Sequence, residues 1–157
     1  MANIYHNGCK MFIQLLLRLE NENEQISNEQ LSLEIGKFLR LCKDNWQNVM
    51  YLVKVVWRHY HYKQDKNPYE RIEGLESFIL TKSNLINCWK WKPLLNGREL
   101  MDKYSEYGLG QDSRLGKLNQ FMLEHRLSKP NITINDLDPK IIEWLKKNPA
   151  PPKSSKK

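Results

Sequence analysis

The chain lacks most of the signatures by which small proteins declare a chemistry. Its three cysteines, Cys9, Cys42 and Cys88, lie far apart, with no Cys-x-x-Cys pair and no histidine spaced to complete a zinc site. That argues against a disulfide framework and predicts free thiols in a reducing compartment. Only seven glycines are present, and none forms a phosphate-binding P-loop or a Gly-x-Ser-x-Gly elbow. No Cys/His nucleophile arrangement appears. No apolar run approaches the roughly 18 residues that a membrane span needs. The one candidate leader, Met11-Phe-Ile-Gln-Leu-Leu-Leu17, is interrupted by Gln14 and runs into Arg18 and Glu20 without a small-residue cleavage site. The expected location is intracellular, in the cytoplasm, the nucleus or an organelle, with no membrane partner.

What is present is an ordinary globular composition, 40% apolar and 27% charged over 157 residues. That suffices for one domain or two small helical lobes. The net charge of +7 is unevenly placed: residues 1–79 carry ten basic and ten acidic side chains, residues 80–157 fifteen and eight. A basic half favours an acidic partner such as nucleic acid. Five of those fifteen cations fall in the last twelve residues, where "PAPPKSSKK" has the composition of a disordered, solvated tail.

Apolar spacing predicts helix almost throughout. The segment 11–20 reads as a short helix, followed by the polar loop "NENEQISNEQ". Asn28 caps a helix over 28–42, carrying Leu31, Ile35, Phe38 and Leu39. Asp44 or Asn45 opens the most apolar helix, 44–64, taken as the central one. Asn67, with Pro68 at the first helical position and Glu70 three residues after the cap, opens 67–83. Asn96 caps 97–104, and the "YGLGQDS" turn leads into 114–127. Asp138-Pro139 opens the last helix, 140–148. The fold class is all-α: an irregular multi-helix bundle of about six to seven short helices, with no convincing sheet. Its divisions are an N-terminal extension with a short helix (1–27), a helical body-like segment (28–88), a basic helical tail-like segment (89–148) and the disordered Lys/Pro tail (149–157).

The catalytic candidates are weak. Asp136-Leu-Asp138 has the spacing of a magnesium-holding carboxylate pair, but that chemistry needs a strand and a Gly-rich phosphate cradle upstream. His59 and His61, at i and i+2, do not share a helical face. Glu124 and His125 are adjacent and lack a Glu-x-x-His spacing. No metal or catalytic residue is assigned. The basic residues remain: Lys90, Lys92, Arg98, Lys103, Arg114, Lys117, Arg126 and Lys129, with Trp89 and Trp91 beside the first of them. Phosphate binding needs such charges together with free backbone amides at helix N-termini, which the Gly108-Leu-Gly110 turn is placed to supply. Equally, the tryptophans are anchors at a helix joint and the lysines a solvated face.

The run "WKWKPLLNGRELMDKY", then "GLGQDSRLGKLNQFMLEHRLSKP" and "IIEWLKK", resembles the C-terminal body/tail region of tRNA nucleotidyltransferases, the CCA-adding enzymes of the poly(A) polymerase family. Pro93, Leu94, Leu95, Gly97, Glu99, Leu100, Met101, Gly108, Gly110, Leu115, Gly116, Leu118, Trp144 and Leu145 carry the match. It covers roughly residues 28–148 and is specific around 91–118. The family's proline in the glycine turn is replaced by Gln111-Asp112-Ser113. The family's catalytic head, with its Asp-x-Asp and its nucleotide-selecting neck, has no counterpart in this sequence.

The resemblance implies a scaffold that grips the backbone of a tRNA by shape and phosphate and is inactive alone. A separately encoded catalytic head is then a partner beside tRNA. No cofactor is bound by this chain, and magnesium, CTP and ATP are implied for a complete family member. Trp91 and Pro93–Leu95 are expected to build the joint, with Lys90, Lys92 and Arg98 facing outward. The competing expectations are a helical protein-interaction module and a non-functional remnant without RNA binding, the latter with exposed apolar surface on 11–20 and part of 44–64.

Overall fold

A computed structural model describes residues 2–21, 25–61 and 67–151, with the side chains of Ala2 and His61 excepted. Among these residues the fold is all-α. Seven α-helices are present: α1 (Ala2–Glu20), α2 (Asn28–Cys42), α3 (Trp46–His61), α4 (Glu70–Thr81), α5 (Gly97–Lys103), α6 (Arg114–Ser128) and α7 (Ile134–Lys147). Three 3-10 turns, Lys43–Asn45, Cys88–Lys90 and Ser105–Tyr107, punctuate them. The helices fall into two compact units. The first runs to Trp91 and takes in Leu127–Pro130; the second comprises Lys92–Arg126 and the chain from Asn131 onward.

In the first unit α1 is nearly twice the expected length. Tyr5, Gly8, Phe12, Leu15 and Leu16 recur at helical spacing, and the last four are buried. A Cβ on Gly8 would come within 2.6 Å of the Cys42 sulfur and 3.1 Å of a Val49 methyl, so glycine is what lets α1 approach α2 and α3 this closely. Tyr5 reaches Asn45, and Phe12 packs its ring on Phe38 at 4.9 Å and 57°, a tilted geometry worth about 1 kcal/mol beyond area. Far from being an extension, α1 belongs to the core. Trp46, Val49, Met50, Val53 and Trp57 of α3 fill the same interior, and Ile72, Leu75 and Ile79 bring α4 against it.

Several helix starts differ from expectation. Ser27, rather than Asn28, caps α2 by accepting from the Gln30 amide at 3.2 Å. Lys43–Asn45 forms a 3-10 turn before α3, and residues 62–64 of the predicted 44–64 helix lie outside the described residues. Asn67 and Pro68 make a turn, in which Asn67 accepts from the Tyr69 amide at 3.2 Å, and α4 begins only at Glu70.

The second unit closes around Leu100, Tyr104, Leu109, Leu118, Met122, Leu137, Ile141 and Leu145. Asn96 caps α5 as expected, and Glu99 answers it to complete a capping box. The start of α7 is corrected by six residues. Thr133 and Asp136 form the capping box, which places Asp138 and Pro139 inside the helix. No helix among the described residues is long and apolar enough to cross a membrane. Residues 152–157, most of the predicted disordered tail, lie outside the described residues.

Candidate nucleic-acid interface

The Trp-Lys-Trp-Lys run at 89–92 divides between the units: Trp91 ends the first and Lys92 begins the second. Trp89 and Lys90 sit in the Cys88–Lys90 turn, which Asn87 enters at a left-handed φ of 63°. Arg40 of α2 ties that turn down by donating to the Cys88 carbonyl at 2.9 Å. Lys90 projects outward, 3.7 Å from Asp44 and over the Trp89 ring at 5.8 Å. Lys129, also of the first unit, pairs with Glu29 at 2.9 Å. Both pairs are solvent-exposed and weak, so these two lysines remain available to a polyanion at little cost.

In the second unit the six predicted cations separate into two groups. Arg114 is only 5% exposed, and its guanidinium is consumed internally. Nε donates to Asp112 Oδ1 at 3.0 Å and Nη2 to Asp112 Oδ2 at 2.8 Å, while Nη2 also reaches the Gly108 carbonyl and Nη1 the Asn148 carbonyl at 3.3 Å. The expectation that Arg114 contacts phosphate is therefore corrected: it staples the α5–α6 turn to the end of α7. Lys103 is 3.1 Å from Asp138, which also accepts a short hydrogen bond from the buried Tyr104 hydroxyl. Arg126 is half-buried and donates to the Lys92 carbonyl at 2.9 Å. Lys92, Arg98 and Lys117 are exposed, and no ion pair among the described residues involves them. Lys140 and Lys146 of α7 share that state, and the candidates read from the sequence did not include them.

The amide cradle is likewise corrected. Asp112 accepts from the Arg114 amide at 2.8 Å, and its backbone carbonyl takes the Leu115 amide at 3.2 Å. The N-terminus of α6 is thus occupied by the chain's own carboxylate, as α7 is by Asp136 and the short α5 by Glu99. An incoming phosphate would meet a negative charge at each of these ends. The positive charge this unit leaves open to solvent is therefore carried by lysine and arginine side chains, not by helix ends.

Hydrogen bonding from Arg114 holds the Asp112 carboxyl below the usual carboxylate range, and the Tyr104 hydrogen bond does the same to Asp138. Burial, with Asp138 beside it, pushes the Tyr104 hydroxyl up. With Asp136 spent on a cap and Asp138 on Tyr104 and Lys103, the Asp-x-Asp pair does not fit a shared magnesium site. Among the described residues no group of three or more His, Cys, Asp or Glu side chains is placed to hold a metal ion.

Compared with protein families, curated proteins and solved structures, the chain matches none.

Proposed function

We propose that the chain is the tRNA-binding body/tail part of a CCA-adding nucleotidyltransferase, acting in tRNA 3′-end processing and inactive without a separately encoded catalytic head. Mg, CTP and ATP would be held by that head. The place of action is intracellular.

One observation carries the reading. The sequence run that resembles the family folds with most of its matched apolar positions inward, while Lys92, Arg98 and Lys117 among its unmatched cations stay exposed. Leu100 and Leu118 are fully buried in the second unit's core, and Leu94, Leu95, Leu115 and Trp144 pack against it. Gly108 takes the left-handed φ of 69° that its turn demands. Lys92 in the loop before α5, Arg98 of α5 and Lys117 of α6 are left in solvent. Dispersed side-chain cations without open helix ends suit recognition of an A-form backbone by shape and charge.

The test is charge reversal at those three positions. Changing Lys92, Arg98 and Lys117 together to Glu should lower tRNA affinity by more than an order of magnitude while leaving helicity intact. Unchanged affinity in a folded variant would remove these residues from the interface and leave the second unit's cations as a solvated face.

A further inference from the structure

The first unit carries a concavity that the tRNA reading does not use. It lies between α1 and α3 and has a volume of about 660 Å³, inside the range of about 300–1,000 Å³ typical of small-molecule sites. Its walls are Ile13 and Leu17 of α1 with Val56 and Trp57 of α3. At one side Leu17 is 50% and Tyr60 77% exposed, a large apolar surface for a folded unit to leave in water. His6 and Lys10, one helical turn apart and both exposed, stand at the other end of the α1 wall. From His6 to Leu17 the wall runs eleven residues, about 16 Å of helix. Among the described residues that line it, Lys10 is the one side chain with a formal charge at neutral pH, and none is a carboxylate.

We infer that this groove binds a small amphiphile with an extended apolar tail and one anionic head, such as a medium-chain carboxylate. The tail lies along Ile13, Leu17, Val56 and Trp57, and the head meets Lys10 and His6. Charge complementarity selects the anion, because Lys10 places a positive charge at this end of the groove and no described lining residue supplies a carboxylate to neutralise it. The concavity's size selects a small molecule over a docked helix, whose diameter with side chains is about 10–12 Å. Cys9 also lines the groove. Burial raises the pKa of its thiol and keeps it protonated at neutral pH, so the ligand is held non-covalently.

Isothermal titration of the full chain with dodecanoate, with dodecan-1-ol and with an acidic amphipathic peptide tests this. Dodecanoate should bind saturably at one site, and the alcohol about tenfold or more weakly, as loss of a charge-assisted contact implies. Lys10→Glu should cost dodecanoate about tenfold and leave the alcohol unchanged. Ile13→Trp, which fills the groove, should weaken both. Lys10 is exposed, so Lys10→Glu is expected to fold, and Lys10→Gln provides a milder second variant with the same direction of effect. Absence of saturable dodecanoate binding overturns the inference, as does equal affinity for acid and alcohol. Tighter binding of the peptide, in competition with dodecanoate, would overturn it in favour of a helix-docking groove.

Discussion

Replacing Arg114 by alanine removes a guanidinium that makes five hydrogen bonds to three partners on two sides of the second unit. Breaking one side of a buried ion pair costs about 3–5 kcal/mol, because the surviving charge stays desolvated. The Asp112 side chain is 21% exposed and regains some water, which places the cost near the lower end, about 3 kcal/mol. A unit of this size is stabilised by only about 3–8 kcal/mol in all. At about 4–8 °C per kcal/mol for a small domain, the melting temperature should fall by at least 12 °C or so. The sharper test is the orphaned carboxylate. Arg114→Met should be partly rescued by Asp112→Asn, since asparagine keeps the cap on α6 without the unpaired charge. Circular dichroism melting gives the magnitude, and hydrogen exchange in α5 and α7 locates it. A shift below about 2 °C, or a double variant no better than Arg114→Met alone, would refute the staple.

Three further outcomes follow from the geometry. Gly36→Ala places a Cβ 2.7 Å from one Leu127 methyl and 3.0 Å from its Cβ, so the leucine cannot swing clear. A loss of about 1–3 kcal/mol is expected, reduced in the Leu127→Ala background, and chemical denaturation measures both. Burial pushes the Cys42 and Cys88 thiols up to about 11. At pH 8 they should therefore resist alkylation until the chain unfolds, with half-buried Cys9 modified first in a mass-resolved time course. Asp112 and Asp138 have folded pKa values below their unfolded ones. Their stabilisation is thus complete above the unfolded pKa, about 3.9, and is lost as pH falls through the lower folded values. Stability measured by urea titration should decline below about pH 4, and Asp112→Asn should flatten that decline.

The all-α class was legible because apolar residues recur at helical spacing in nearly every segment, and the Asn96 cap was legible because its determinants are local. The start of α7 was misread for an equally local reason. Pro139 attracts a helix start to Asp138, yet Thr133-Ile-Asn-Asp136 offers a capping pattern five residues earlier and takes precedence. The length of α1 was in the sequence as the Tyr5, Gly8, Phe12, Leu15 stripe, hidden because glycine at a buried position looks like a break. It becomes a close approach only when Cys42 and Val49 are seen across from it. Arg114 could not be separated from the other cations beforehand. Asp112, two residues away, was a signal, but the Gly108 and Asn148 carbonyls that complete its burial are set by tertiary structure. Reading every Lys and Arg of a basic half as available overcounts, since folding spends some of them.

The most direct test of the tRNA reading is binding of the purified chain to tRNA at about 50 and 200 mM salt, with single-stranded RNA of equal length as control. If Lys92, Arg98 and Lys117 make three phosphate contacts, affinity should fall about 40-fold across that range, and tRNA should be preferred over the single strand. Absence of binding at the lower salt, or equal binding of the two RNAs, would contradict a tRNA-gripping body/tail.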